Sequence, residues 1–333
     1  MFELSFIWAG IIAFAVLTYV ILDGFDLGVG ILFPFAKGER DRATMMNSVA
    51  PIWDGNETWL VLGGGGLFAV FPLAYAVIMP ALYMPIILML LALIFRGVAF
   101  EYRWRTERWK PVWDVAFAGG SLVAAFMQGI ALGALVQGIE VADRAYAGGW
   151  WDWLSVFSIL TGFAVVIGYA LLGATWIILK TEGSLQRQMQ NYAWWLGAGT
   201  LGFIGIVSIL TPFQDPEYFR RWFNLPGSIF SVLMPGAVAA TAWALFSGLN
   251  AGKDGQPFFA ALSLFVLSFI GIGVSFYPNI VPPNLTIVAA AAPDESLLFA
   301  LVGTVVLVPL ILIYTGYAYW VFRGKIDPEE GYH

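Results

Sequence analysis

The chain contains no cysteine, and its single histidine is the last residue, His333. Without cysteine there is no disulfide, no thiolate-ligated haem and no cysteine-held iron–sulfur cluster. A low-spin haem usually takes histidine, so no cofactor ligated by this chain is expected, and any haem belongs on another polypeptide. Charge is scarce too: 11% of the 333 residues are charged while 60% are hydrophobic. With a mean hydropathy of +0.80 the chain is too apolar for a soluble globule and reads as an integral membrane protein. The net charge of −6 is spread over short loops and points to no nucleic acid and no acidic partner. No phosphate-binding glycine loop, metal cluster or nucleophilic triad is present in the pattern. Gly24, Gly28 and Gly30 do not follow a strand, which excludes a dinucleotide fingerprint. The N-terminal apolar run has Glu3 before it, no Lys or Arg, and no small-residue cleavage site after it. It reads as a retained first membrane helix rather than a signal peptide.

What is present is a series of apolar segments of about 20 residues, the length of a helical span and too long for barrel strands. The expectation is an all-α, polytopic membrane protein: residues 1–333 form one integral membrane domain of about nine transmembrane helices. The spans fall near 6–33, 53–71, 81–100, 113–136, 153–179, 193–210, 229–249, 258–276 and 297–322. Most prolines flank these spans, whereas Pro85, Pro235 and Pro309 lie inside them and predict kinks. With the N-terminus outside, twelve Lys and Arg fall in inner segments: Lys37, Arg40, Arg42, Arg103, Arg105, Arg108, Lys110, Lys180, Arg187, Lys253, Arg323 and Lys325. Only Arg144, Arg220 and Arg221 are outer, so the positive-inside bias predicts N-terminus outside and C-terminus inside. Trp150, Trp151 and Trp153 then mark the outer interface, and Trp104, Trp109, Trp113, Trp194 and Trp195 the inner one.

Against that apolar background a few charges stand out. Asp23 and Asp26 sit inside the first span, where an ionisable group is costly unless it faces a partner or water. At about 1.5 Å of rise per residue, Asp26 lies roughly 12 Å and Asp23 roughly 16 Å from the inner end. Three residues apart, they share a helix face. Arg96 in the third span lies roughly 10 Å from the same surface. Asp54 and Glu57 occupy the first turn of the second span, also on the inner side. Together these residues suit a proton path, since a carboxylate chain is a common membrane relay. The competing reading is structural: an Asp23–Arg96 ion pair fixing the packing, with Asp54 a helix N-cap. Gly63 to Gly66 read as a close contact with a neighbouring helix or with the partner subunit. Gln128, Gln137, Thr161 and Ser208 read as scattered interhelical hydrogen bonds, and Glu101 and Asp114 as solvated charges.

Several runs resemble one family. Asp23-Gly-Phe-Asp-Leu-Gly-Val-Gly30, the run Asn47 to Leu60 containing Ala50-Pro51-Ile52-Trp53-Asp54-Gly55-Asn56-Glu57, and Phe95-Arg-Gly-Val-Ala-Phe-Glu-Tyr-Arg103 are similar to subunit II of the cytochrome bd-type quinol oxidases, including the cyanide-insensitive ones. The pattern Trp113 to Ser121 and the last span around Val306 to Thr315 match as well, so the resemblance covers nearly the whole chain in order. The chain departs from it at Leu285-Thr286-Ile287-Val288, where relatives tend to carry a tryptophan and an acid or amide.

The resemblance implies a haem-free subunit of a complex that oxidises quinol and reduces O2 to water in a bacterial inner membrane. It takes protons from the inside without pumping. A haem-bearing subunit I is the implied partner, carrying haems b and d or b alone; small accessory subunits, quinone or quinol, a structural quinone and membrane lipid are further expected associates. The resemblance supports a proton role most directly for Asp23 and Asp54, with Asp26, Glu57 and Arg96 beside them. For Trp59 it implies the mouth of an oxygen passage, with ordinary packing as the alternative. Two other functions compete: a proton-coupled secondary transporter, which would suit buried acids and kinked helices, and a scaffold whose acids only pair with Arg96.

Overall fold

The structure, a computed structural model, describes residues 3–225 and 227–326. His333 lies outside the described residues. Thirteen α-helices follow one another among the described residues: α1 (Leu4–Leu32), α2 (Glu39–Asn47), α3 (Trp53–Val70), α4 (Pro72–Ala81), α5 (Tyr83–Tyr102), α6 (Lys110–Gln137), α7 (Val156–Lys180), α8 (Gly183–Leu210), α9 (Pro216–Phe223), α10 (Gly227–Asn250), α11 (Gly255–Phe276), α12 (Ile287–Ala290) and α13 (Asp294–Val321). Two short antiparallel hairpins, β1 (Val141–Ala142) with β2 (Ala145–Tyr146) and β3 (Asn279–Val281) with β4 (Leu285–Thr286), close two of the loops.

Eight of these helices are long and apolar enough to cross a membrane: α1, α5, α6, α7, α8, α10, α11 and α13. The expected second span, α3, is 18 residues long but opens with Asp54, Asn56 and Glu57 and contains four consecutive glycines, which lowers its hydropathy. It nevertheless runs antiparallel to α1 along much of that helix. Its start meets Asp26 through Asn56, its middle meets Val16 and Ile12 at Gly63 and Gly66, and its end joins Trp8 and Val70 in one apolar cluster. The sequence did not announce α4, a separate helix split from α3 at Phe71, where φ −130° and ψ 61° break the helix ahead of Pro72.

One expectation about proline changes, and the glycine run is divided. Pro85 falls in the first turn of α5, where no helical hydrogen bond is lost, while Pro80 lies inside α4; Pro235 and Pro309 are interior as expected. In the Gly63 to Gly66 run, only Gly63 and Gly66 face α1, and Gly64 and Gly65 meet nothing within 4 Å. Closer still is the backbone-to-backbone approach of α1 and α7: a Cβ on Gly28 would sit 1.8 Å from the Tyr169 carbonyl oxygen, and one on Gly173 would sit 2.2 Å from the Gly28 backbone. Lipid is as apolar as leucine, so close backbone approach of this kind is a main source of helix association in a membrane.

Around α1 gather α3, α6 and α7, with α5 laid on α6 and α8 on α7. The larger core runs from Phe25, Leu27 and Val29 through Phe117 and Ala124 to Leu171, Ile177 and Leu264. The opposite ends of the helices close over Trp8, Phe71, Ile130, Val281 and Trp153. Trp153 is therefore packed inside, with its indole N–H donating to the Trp150 carbonyl at 2.9 Å, while Trp150 and Trp151 remain exposed as an interfacial pair should. In α13, by contrast, Leu297 is the one buried residue.

Candidate functional site

A charged cluster lies where α1, α3, α5 and α13 meet. Asp23 and Asp26 on α1 and Arg96 on α5 are fully buried. Arg96 Nη1 lies 3.3 Å from Asp23 Oδ1 and donates to Glu57 Oε1 on α3 at 2.5 Å. Asp26 has a different partner: Asn56 Nδ2 donates to its Oδ2 at 2.7 Å, and Tyr319 Oη on α13 donates to Asn56 Oδ1 at 2.9 Å. The Arg96 guanidinium carbon also stands 5.5 Å from the Phe100 ring centroid, a cation–π contact from the next turn of α5.

The sequence places these groups by simple rules. The i, i+3 spacing puts Asp23 and Asp26 on one side of α1. The i, i+1 step from Asn56 to Glu57 turns them about 100° around α3, so one serves Asp26 and the other Arg96. Glu57 keeps 23% of its side-chain exposure whereas Asp23 and Arg96 have none, which makes Glu57 the group through which the cluster meets its surroundings. Three carboxyls face one guanidinium. Several unbalanced negative charges in so dry a place would be very costly.

A second arm leaves Asp23 in the other direction. Tyr19, one turn earlier on α1, stands within electrostatic reach of Asp23. Its hydroxyl accepts from Gln128 Nε2 on α6 at 2.8 Å, and Gln128 Oε1 accepts from Tyr169 Oη on α7 at 2.8 Å. Gln128 is thus part of an organised array rather than one of a scatter of helix contacts. The signal available in the sequence was the placement of Tyr19 four residues before Asp23; nothing local marked Tyr169, Asn56 or Tyr319.

Of the residues singled out from sequence, the fold gathers Asp23, Asp26, Glu57 and Arg96. Asp54 stands apart, exposed on the first turn of α3. It is not the N-cap: that position is Ile52, and no side chain caps the helix, so Asp54 acts on α3 through the helix dipole alone. Trp59 is buried between α1, α3 and α13, edge-on to Phe14 with ring centroids 5.8 Å apart, and clusters with Ala15, Tyr19 and Ile311.

A separate charged group was hidden inside what looked like a solvated basic loop. Arg103 is fully buried; its Nε donates to Asp114 Oδ1 at 2.5 Å and its Nη2 to Glu39 Oε2 at 2.9 Å. Lys110 joins Glu39 at 3.0 Å, and Arg42 joins Asp114 at 3.4 Å. Asp114 is therefore a structural counter-ion, while Glu101 is solvated as expected, 61% exposed and 3.5 Å from Arg105. Partial burial pushes the Glu39 carboxyl up, but hydrogen bonds and charge from Lys110 and Arg103 outweigh it and hold the group below its ordinary range.

Comparison with known proteins agrees with this architecture. The family described as cytochrome bd terminal oxidase subunit II matches residues 4–322. The chain is 30% identical to cytochrome bd-I ubiquinol oxidase subunit 2 of Escherichia coli K12, over 98% of this chain and 96% of that one. To cytochrome bd ubiquinol oxidase subunit 2 of Bacillus subtilis it is 29% identical, over 99% of each. Among solved structures, the bd oxidase from Geobacillus thermodenitrificans superimposes with a TM-score of 0.78 at 16% identity, covering 96% of this chain and 98% of that chain. These findings do not favour the transporter alternative.

Proposed function

The chain belongs to the cytochrome bd terminal oxidase subunit II family, and from that membership and the buried cluster we propose that its own contribution to the quinol oxidase complex is to carry protons inward. The observation that carries this reading is the Asp23–Arg96–Glu57 bridge, two fully buried groups tied to a partly exposed acid. Protons reach Glu57, with Asp54 as the outermost acid, pass to Asp23, which the Arg96 guanidinium holds beside Glu57 without itself taking up a proton, and leave toward O2 on the haem-bearing subunit I. Asp26 sits beside this route. Reduction of O2 to water consumes protons, and a buried acid that exchanges one supplies them without charging the membrane interior.

Haems b and d, or b alone, belong on subunit I, because a chain with no cysteine and only His333 offers a poor donor set for haem. A nine-crossing arrangement, N-terminus outside and C-terminus inside the bacterial inner membrane, is part of this reading, and the antiparallel run of α3 beside α1 and the basic inner segments support it. Trp59 lies in an apolar setting where O2 would dissolve, which supports a role in oxygen access. A structural quinone, bound lipid and small accessory subunits complete the proposed assembly.

The test is to purify the complex with wild-type chain and with Asp23→Asn, record reduced-minus-oxidised spectra, and assay quinol-dependent O2 uptake. Unchanged haem bands with uptake lowered by about 10²-fold support the proton role. Full uptake in the variant reduces Asp23 to packing.

A further inference from the structure

The charged cluster opens toward one end of the bundle and is shut off from the other. At the end where α3 begins, Glu57 is partly exposed and Asp54 is in the open. Toward the end where α1 begins, roughly 16 Å of that helix separates Tyr19 from Trp8, at about 1.5 Å per residue. Within it α1 has no ionisable side chain, and the buried Thr18 hydroxyl donates to the Phe14 carbonyl of its own helix at 2.8 Å. The facing stretch of α3, from Leu60 to Val70, is wholly apolar. Along α7 the next polar side chain beyond Tyr169 is Thr161, roughly 12 Å further on. Its hydroxyl is engaged by the Gly129 carbonyl of α6 at 2.8 Å.

That end is closed by the connection between α11 and α13, residues 277–293, which holds β3, β4 and α12. Connecting segments ordinarily run over the surface, but here Val281, Leu285 and Ile287 are buried in one apolar cluster with Trp8 of α1, Phe71 at the break between α3 and α4, and Ile130 of α6. Three hydrogen bonds fasten this region to separate helix ends. The Ala292 N–H donates to the Val70 carbonyl at the end of α3 at 2.9 Å, and the Ile139 N–H, just past α6, donates to the Pro282 carbonyl at 2.9 Å. Trp8 Nε1 donates to the Leu297 carbonyl in the first turn of α13 at 3.0 Å. A charge entering such a packed apolar layer finds neither an exchanging group nor a counter-charge, which makes its passage very costly.

We propose that residues 277–293 form a hydrophobic stopper that insulates the acid cluster from the outer side of the membrane, so that the proton route opens to the inside alone. A route open at both ends would let protons run back and dissipate any gradient that the complex builds.

This inference rests on the proton-path reading, and the test reads the two apart. In the assembled complex, Ile12→Cys places a thiol in the buried cluster beneath the stopper, and Val288→Cys places one on its exposed face. Labelling of this otherwise cysteine-free chain by an impermeant methanethiosulfonate added outside is read from the mass of the chain. Val288→Cys is expected to react and Ile12→Cys to stay unlabelled. When Val281→Ser and Leu285→Ser are added, Ile12→Cys is expected to become labelled, and a pH gradient, acid outside, imposed on liposomes holding the complex to decay severalfold faster. Asp23→Asn in that background is expected to return the decay to the wild-type rate. Trp8→Phe, which removes the bond to Leu297, is the milder opening if the double variant does not assemble. Labelling of Ile12→Cys beneath an intact loop overturns the proposal. So does an assembled loop variant that labels and leaks like wild type, or a leak undiminished by Asp23→Asn, since those protons bypass the cluster. Full O2 uptake in Asp23→Asn would instead sink the proton path, an outcome that the shielding of Ile12→Cys does not depend on.

Discussion

One nitrogen of Arg96 bridges two helices: Nη1 stands 3.3 Å from Asp23 on α1 and 2.5 Å from Glu57 on α3. Removing that nitrogen leaves a fully buried carboxyl, Asp23, and a partly exposed one, Glu57, without their cation. Arg96→Leu is expected to destabilise the chain by about 3–5 kcal/mol, and Arg96→Lys, which keeps charge but cannot span both acids in the same way, by less. Thermal unfolding of the detergent-solubilised complex, followed by tryptophan fluorescence, checks both.

Glu57 and Asp54 are neighbours in sequence with unequal roles. Glu57 touches Arg96, whereas Asp54 is exposed and reaches the cluster only through Glu57. Glu57→Gln is expected to lower O2 uptake by about 10²-fold and Asp54→Asn by less than about tenfold, because water can deliver a proton to Glu57 directly. Equal effects would mean that Asp54 is an obligatory step.

Gly28 admits no side chain, since its Cβ would overlap the Tyr169 carbonyl at 1.8 Å. Gly28→Ala must push α1 away from α7 and is expected to cost about 1–3 kcal/mol or more and to reduce assembly. Gly64→Ala, with nothing within 4 Å, is expected to leave the chain's own folding unchanged. Yield of the chain in membranes, with unfolding temperature, separates them.

Glu39 predicts an acid limit for the inner charged group. Its folded value lies below the ordinary 4.5 because Lys110 and Arg103 overcome the effect of partial burial. A depressed carboxyl adds stability that is present above its unfolded value and is lost as the pH falls through the lower folded one. The melting-temperature difference between wild type and Glu39→Gln should therefore be constant above about pH 5 and vanish on acidification below about pH 4. A difference that persists at the acid end would show that charge is not its source.

The absence of native cysteine makes orientation directly measurable. Arg108→Cys and Glu140→Cys each place one thiol at an exposed loop position. An impermeant maleimide is expected to label position 140 in intact cells and position 108 only after lysis. The reverse pattern would invert the proposed topology.

Much of the fold was legible because hydropathy is a local property. Most helix boundaries lie within a few residues of the expected spans, and the clearest misplacement, α8, begins ten residues early because a polar stretch from Gly183 to Tyr192 continues the helix below the apolar part. Asp23, Asp26 and Arg96 were conspicuous because charge in an apolar helix needs a reason. Their grouping was foreseeable to the extent that depth along a helix can be counted, and Arg103 and Asp114 were misjudged because a basic loop gives no local sign of burial.

By itself, then, the sequence determined that this is a multi-helix membrane protein with acids and one arginine set inside it, since composition, periodicity and rise per residue need no partner to be read. Only the tertiary structure decided which partner each acid takes. Arg96 is 39 residues from Glu57, Asn56 is 30 from Asp26, and Tyr319 is 263 from Asn56. A hydrogen bond is governed by angle and distance in space, and those are set by how α1, α3, α5 and α13 pack, a property that no single stretch of the chain contains.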